Sequence, residues 1–91
     1  MTITIEQLNQ KEFKIKIAKA IETDHLIVIS EEIYKDFTDE KLSKEQLIDF
    51  SIKFLLKREC NSLILKTFAI EEISNYFPEY INSLKDFISK I

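Results

Sequence analysis

The sequence predicts an α+β fold: an N-terminal β-hairpin packed on a C-terminal bundle of three to four helices. Three observations predict it. Phe13, Ile15 and Ile17 alternate with Glu12, Lys14 and Lys16, the period-two pattern of a half-buried strand. Beyond Ser30 the apolar spacing changes to three and four residues, the period of helices. Ninety-one residues, 45% hydrophobic and 32% charged, have the balance of one folded domain, 1–91, with one modest core.

Glycine is absent and Pro78 is the only proline, so boundaries must be read from periodicity and caps. The run His25-Leu26-Ile27-Val28-Ile29 completes a hairpin over about 12–29. With no glycine for a two-residue primed turn, a longer loop is expected at 21–24. Ile3 and Ile5 also alternate, which makes residues 2–5 a candidate third strand. Ser30 can cap a short helix over 31–37, with Glu31 and Glu32 at the positive end of its dipole and Ile33, Tyr34 and Phe37 inside.

Ser43 and Gln46 match a capping box for the main helix, 44–59. On it Gln46, Asp49, Lys53 and Lys57 form one narrow polar stripe. Nearly everything else is apolar, as expected of a central helix with neighbours on several sides. Asn61 and Ser62 supply cap chemistry for a brief helical turn over 63–68, and a further helix is expected over 70–77. Pro78 disfavours helical backbone at Phe77 and opens a last helix over 78–90. There Ile81, Leu84, Ile88 and Ile91 make one stripe, expected to fold back onto helix 44–59, with packing on a second copy as the alternative.

The inventory for catalysis is thin, and no catalytic, cofactor or metal site is expected. His25 is the sole histidine and reads as a solvated loop residue beside Asp24. Cys60 is the sole cysteine, so a Cys/His zinc site within one chain and an internal disulfide are both excluded. A glycine-rich phosphate loop is excluded too. Glu31, Glu32, Asp36, Asp39 and Glu40 crowd together without the spacing or the glycine of a calcium loop, and read as a solvated face and turn. Lys11, Lys14, Lys16 and Lys19 form a basic cluster, of which Lys14 and Lys16 read as protection of an exposed strand edge.

Two constellations stand out. Glu59 falls opposite the polar stripe, and a buried carboxylate must find partners. Arg58 or the N–H groups of residues 61–63 could supply them, which makes Arg58 and Glu59 a structural junction. Tyr76, Phe77 and Tyr80 gather around Pro78 as an aromatic cluster, read as core or as a partner-binding patch.

Around this junction residues 51–80 resemble a family of small uncharacterised bacterial proteins about as long as this one. Its pattern runs Ser-Phe-x-Phe-Leu-Leu-x-Arg-Glu-Pro, then Ser-Ile-Leu, Phe-Asp-Leu, Ile and Tyr-Phe-Pro-Glu-Tyr. The chain supplies Ser51, Phe54, Leu55, Leu56, Arg58, Glu59, Ile64, Leu65, Phe68, Ile70, Ile73, Tyr76, Phe77, Pro78, Glu79 and Tyr80 without a gap. Among its departures, Cys60 (proline in the pattern), Leu63 (serine) and Ala69 (aspartate) fall at positions that suit caps and turns. The resemblance supports the fold and implies no activity.

A non-catalytic interaction or regulatory module, with a protein partner or a second copy of itself, is the leading expectation. The alternative is a nucleic-acid binder, with 63–77 as a helix-turn-helix-like segment. Against it, that segment carries Glu71 and Glu72, and the net charge is −3, whereas chains that grip phosphates show a basic excess. No small-molecule ligand is implied. No apolar run approaches the roughly 18–20 residues needed to span a bilayer, and the first ten residues lack the pattern of a signal peptide. The expected location is the cytoplasm.

Overall fold

In the computed structural model, which describes residues 2–91, strands β1 (Thr2–Gln7), β2 (Glu12–Ala18) and β3 (Glu22–Val28) form an antiparallel meander. A fourth, β4 (Thr67–Ala69), runs parallel to β3, and the sheet order is β1-β2-β3-β4. Helices α1 (Glu31–Thr38) and α2 (Lys44–Leu56) lie between β3 and β4 in the chain. After β4 come a 3-10 turn (Ile70–Glu72), α3 (Ile73–Tyr76) and α4 (Tyr80–Ser89). The fold is α+β, and its sheet is open.

Register explains why one face of the sheet is dry. Ile5 pairs with Ile15 and Ile15 with His25; Ile3 pairs with Ile17 and Ile17 with Thr23; Phe13 pairs with Ile27 and Ile27 with Phe68. Paired residues point to the same face, so these rows form one apolar surface. Phe13, Ile15, Ile17 and Ile27 are fully buried there against Leu47, Ile48 and Ile52 of α2 and Leu84 of α4. The opposite face carries Glu6 beside Lys14 and Lys16 beside Asp24, with a Lys16–Glu22 ion pair at 3.5 Å. Opposite charges on neighbouring strands suit a wet face.

Short polar side chains replace glycine as punctuation. Asn9 Oδ1 accepts the N–H groups of Lys11 (2.9 Å) and Glu12 (3.0 Å), which closes the β1–β2 turn. Ser30 Oγ accepts Ile33 N–H at 3.2 Å, and Ser43 with Gln46 completes the capping box of α2. At the end of α1, Asp39 and Glu40 both adopt positive φ, 51° and 59°, where a chain with glycine would place it.

Several expectations are corrected. The third strand exists and extends to Gln7, which makes β2 an inner strand, so Lys14 and Lys16 do not protect an edge. The loop expected at 21–24 lies at 19–21, because Ala18 already pairs with Glu22. The main helix ends at Leu56 rather than at Glu59. No helix spans 63–68: a 3-10 turn at Asn61–Leu63 leads into β4, because Phe68 completes the inward row beside Ile27. Residues 70–77 divide into the 3-10 turn and α3, with Phe77 extended (φ −131°) ahead of Pro78. The last helix starts at Tyr80 rather than at Pro78. The helix-turn-helix reading of 63–77 thereby loses its first helix.

Among the described residues, no helix is long and apolar enough to cross a membrane. Most of the terminal stripe folds back: Leu84 is buried, Ile81 and Ile88 are half-buried, and α4 packs on α1 and on Phe50 of α2, but Ile91 lies beyond the helix and is 69% exposed.

Candidate functional site

The end of α2 is built around the Phe54 ring. Arg58 stacks its guanidinium 3.6 Å from the centre of that ring and donates from Nη1 to the Phe54 carbonyl at 3.0 Å. Its Nε reaches Glu79 Oε2 at 3.2 Å. Phe77 and Tyr80 meet the same ring edge-on, with centroids 5.9 and 5.2 Å away. One cation therefore caps an aromatic cluster and ties helix α2 to the Pro78-Glu79 turn, a geometry that favours arginine over lysine. The Glu79 carboxyl sits below its usual range, held first by its own backbone N–H and then by Arg58. Arg58 does not form the expected junction with Glu59. Its partner is Glu79, not Glu59.

Glu59 goes elsewhere. Half-buried past the end of α2, its carboxylate makes no hydrogen bond among the described residues, and it stands on the rim of a groove of about 300 Å³. Leu55, Ile64, Phe68 and Ile73, all buried, line it together with the half-buried Phe77. Leu63, Leu65 and Tyr76 stand around the mouth, 67%, 47% and 65% exposed. Glu72 is the second carboxylate on the rim. Its Oε2 accepts Ala69 N–H at 2.6 Å and so anchors the end of β4.

The expected aromatic patch is thus divided. Tyr76 is exposed on the groove and Phe77 is half-buried in its wall, but Tyr80 is wholly buried and beyond the reach of a partner. Its hydroxyl lies 2.6 Å from Ser51 Oγ. Leu63 and Leu65 escaped the sequence reading because Leu63-Ile64-Leu65 fits a helical turn as well as it fits a strand. The signal for exposure was that only Ile64 has a place in the core once the segment is extended.

A buried polar chain fixes the segment that forms this groove. His25, expected in solvent, is 3% exposed and stands in the inward row of β3. Its Nδ1 lies 2.8 Å from the Leu65 carbonyl, which can only accept, so Nδ1 carries a proton. In the neutral ring Nε2 then accepts from Thr23 Oγ1 at 2.9 Å, and Thr23 Oγ1 in turn accepts from Asn61 Nδ2 at 2.9 Å. Asn61 Nδ2 also donates to the Ile21 carbonyl at 2.9 Å. Asn61 is therefore a buried staple to the β2–β3 turn, not a helix cap. Ser62 is exposed and makes no side-chain cap bond.

The acidic cluster at 31–40 is dispersed. Glu31 is held below the usual carboxylate range chiefly by its hydrogen bond from Lys44, while Asp39 and Glu40 lie in the turn after α1. Among the described residues, no three His, Cys, Asp or Glu side chains are grouped as metal ligands would be. Cys60 is exposed and unpaired. No family model matches the chain, and neither does any curated protein or solved structure, so the resemblance carried by residues 51–80 stands on those residues alone.

Proposed function

We propose that this chain is a non-catalytic protein-interaction module, and that its groove takes a short partner segment presenting an apolar side chain next to a basic one. The observation that carries this reading is the rim. Three of the large apolar side chains most exposed to water, Leu63, Leu65 and Tyr76, surround one preformed depression with the carboxylates of Glu59 and Glu72. Exposed apolar side chains clustered on a concave surface mark association sites, whereas scattered ones need no explanation. The carboxylates supply the choice of partner, because a Lys or Arg flanking the apolar anchor finds an opposite charge and an acidic segment is repelled.

A non-catalytic role is supported by the sole histidine, whose two ring nitrogens are both committed to the chain that holds Leu65 and Thr23. An exposed thiol at Cys60 supports a reducing compartment, the cytoplasm.

The experiment is to pan a phage-displayed random peptide library on the immobilised protein and on its Leu63→Glu variant. Peptides with a Leu, Phe or Tyr anchor beside Lys or Arg should be enriched on the parent and lost on the variant. Their binding to a Glu59→Gln/Glu72→Gln double variant should weaken and lose salt dependence. Enrichment indifferent to Leu63, or of acidic peptides, refutes the assignment.

A further inference from the structure

At the opposite edge of the sheet, β1 leaves a row of backbone groups open. Leu8 N–H bonds to the Glu12 carbonyl at 2.9 Å, which sets the parity of the β1–β2 ladder. Thr2, Thr4 and Glu6 direct their main-chain groups at β2, and Ile3, Ile5 and Gln7 direct theirs outward. This edge is six residues long and regular, without proline or lysine, and its one charge is Glu6 near the C-terminal end. The devices that usually blunt an edge strand are a charge, a proline, a bulge or a cover. Lysine occurs one strand further in, at Lys14 and Lys16. The inward side chains of the edge, Ile3 and Ile5, are only half-buried, so the apolar layer stops short at β1.

We propose that β1 pairs antiparallel with β1 of a second copy, about a two-fold axis through Thr4, to give one continuous eight-stranded sheet. The sequence of the edge is self-complementary in that register. Ile3 faces Ile5 of the second copy across a hydrogen-bonded pair, twice by symmetry, and both lie on the apolar face, which then runs on without a break. On the wet face Thr4 meets its own copy and Thr2 meets Glu6, so no charge stands opposite its like. Shifting the register by one residue would put isoleucine against threonine on the wrong face. Shifting it by two replaces an Ile–Ile contact with Ile3 against Gln7. A strand pair alone covers less than the usual interface of about 1,200–2,000 Å², so the dimer is weak. The groove beside β4 stays open in this assembly, and the two sites fail or stand independently.

Sedimentation velocity over a concentration series tests the pairing. The parent should pass from monomer to dimer, and Thr4→Lys, which sets two ammonium groups face to face on an exposed position, should raise the dissociation constant about tenfold or more with an unchanged circular dichroism spectrum. Disulfide trapping fixes the register, and it decides the matter if Thr4→Lys does not fold. In a Cys60→Ser background, Thr4→Cys places two thiols on a non-hydrogen-bonded pair with Cα atoms about 4.5 Å apart, within disulfide range, and should cross-link on mild oxidation. Thr2→Cys places them about 13 Å apart and should not. A parent that remains monomeric at all concentrations, or equal cross-linking of the two cysteine variants, overturns the proposal. That includes the case in which the edge instead serves a strand of another protein.

Discussion

Ser51 and Tyr80, 29 residues apart in the chain, share a 2.6 Å hydrogen bond in a site where both are buried. The direction of the bond follows from the neighbours. Ser51 gives its only proton to the Leu47 carbonyl at 2.7 Å, so the Tyr80 hydroxyl is the donor. A buried polar pair of this kind costs free energy if unmatched and fixes the helices once matched. It sets α4 on α2 at one height, with Tyr80 tilted against Phe37 and Phe50 and edge-on to Phe54.

Alkaline stability should report this pair. Burial, opposed more weakly by the Ser51 hydroxyl, which can turn its proton toward a phenolate, pushes the Tyr80 hydroxyl up from 10.0 to about 12. The folded state thus holds the proton more tightly than the unfolded one. Its contribution is fully present below pH 10 and is lost as pH rises from 10 toward 12, on the order of 2–3 kcal/mol in all. Tyr80→Phe should cost about 1 kcal/mol at neutral pH and flatten the alkaline limb of a urea-midpoint profile. An unchanged limb would place the alkaline transition on other groups.

The phasing of α2 is open to a paired test. Phe54 is buried under Arg58 and between Phe77 and Tyr80, whereas Lys53 is exposed and pairs only with Asp49 at 2.9 Å. Phe54→Ala should destabilise by about 3–5 kcal/mol and Lys53→Ala by less than about 0.5 kcal/mol. Denaturation midpoints that coincide would contradict the packing.

His25→Leu keeps the volume of the side chain but strips the Leu65 carbonyl of its donor and the Thr23 hydroxyl proton of its acceptor. The expected loss is about 1–3 kcal/mol. It should be felt most at β4, so hydrogen exchange at Leu26 N–H, which bonds to the Lys66 carbonyl at 2.7 Å, should accelerate more than exchange in the β1–β2 ladder. Equal acceleration throughout would mean that the histidine serves general stability and not the seating of β4.

Glu40→Gly offers a gain. A non-glycine residue at φ 59° carries a steric cost of about 1–2 kcal/mol, partly offset by the greater unfolded-state freedom of glycine, about 0.4–1 kcal/mol. Thermal unfolding should therefore show a stabilisation of about 0.5–1 kcal/mol. A loss would mean that the Glu40 side chain contributes more than its backbone strain removes.

The sequence by itself determined the elements whose signals are local. Alternation wrote β2, spacing and caps wrote α1 and α2, and the polar stripe of α2 emerged on the wet side because a helix of known period leaves only one face for Gln46, Asp49, Lys53 and Lys57. Local signals also gathered Tyr76, Phe77 and Tyr80 into one aromatic cluster, without separating the buried Tyr80 from the exposed Tyr76. The tertiary structure alone decided β4, since a three-residue strand has no stability until β3 offers it a parallel ladder. It also decided the burial of His25, whose environment is made by the Leu65 carbonyl 40 residues away. With β4 in place, the chain leaves the 3-10 turn at Asn61–Leu63 extended, Glu59 is parted from the N–H groups expected to bind it, and Leu63 and Leu65 turn to water. The groove exists because pairing across long sequence separation overrides a helical pattern that only neighbouring residues support.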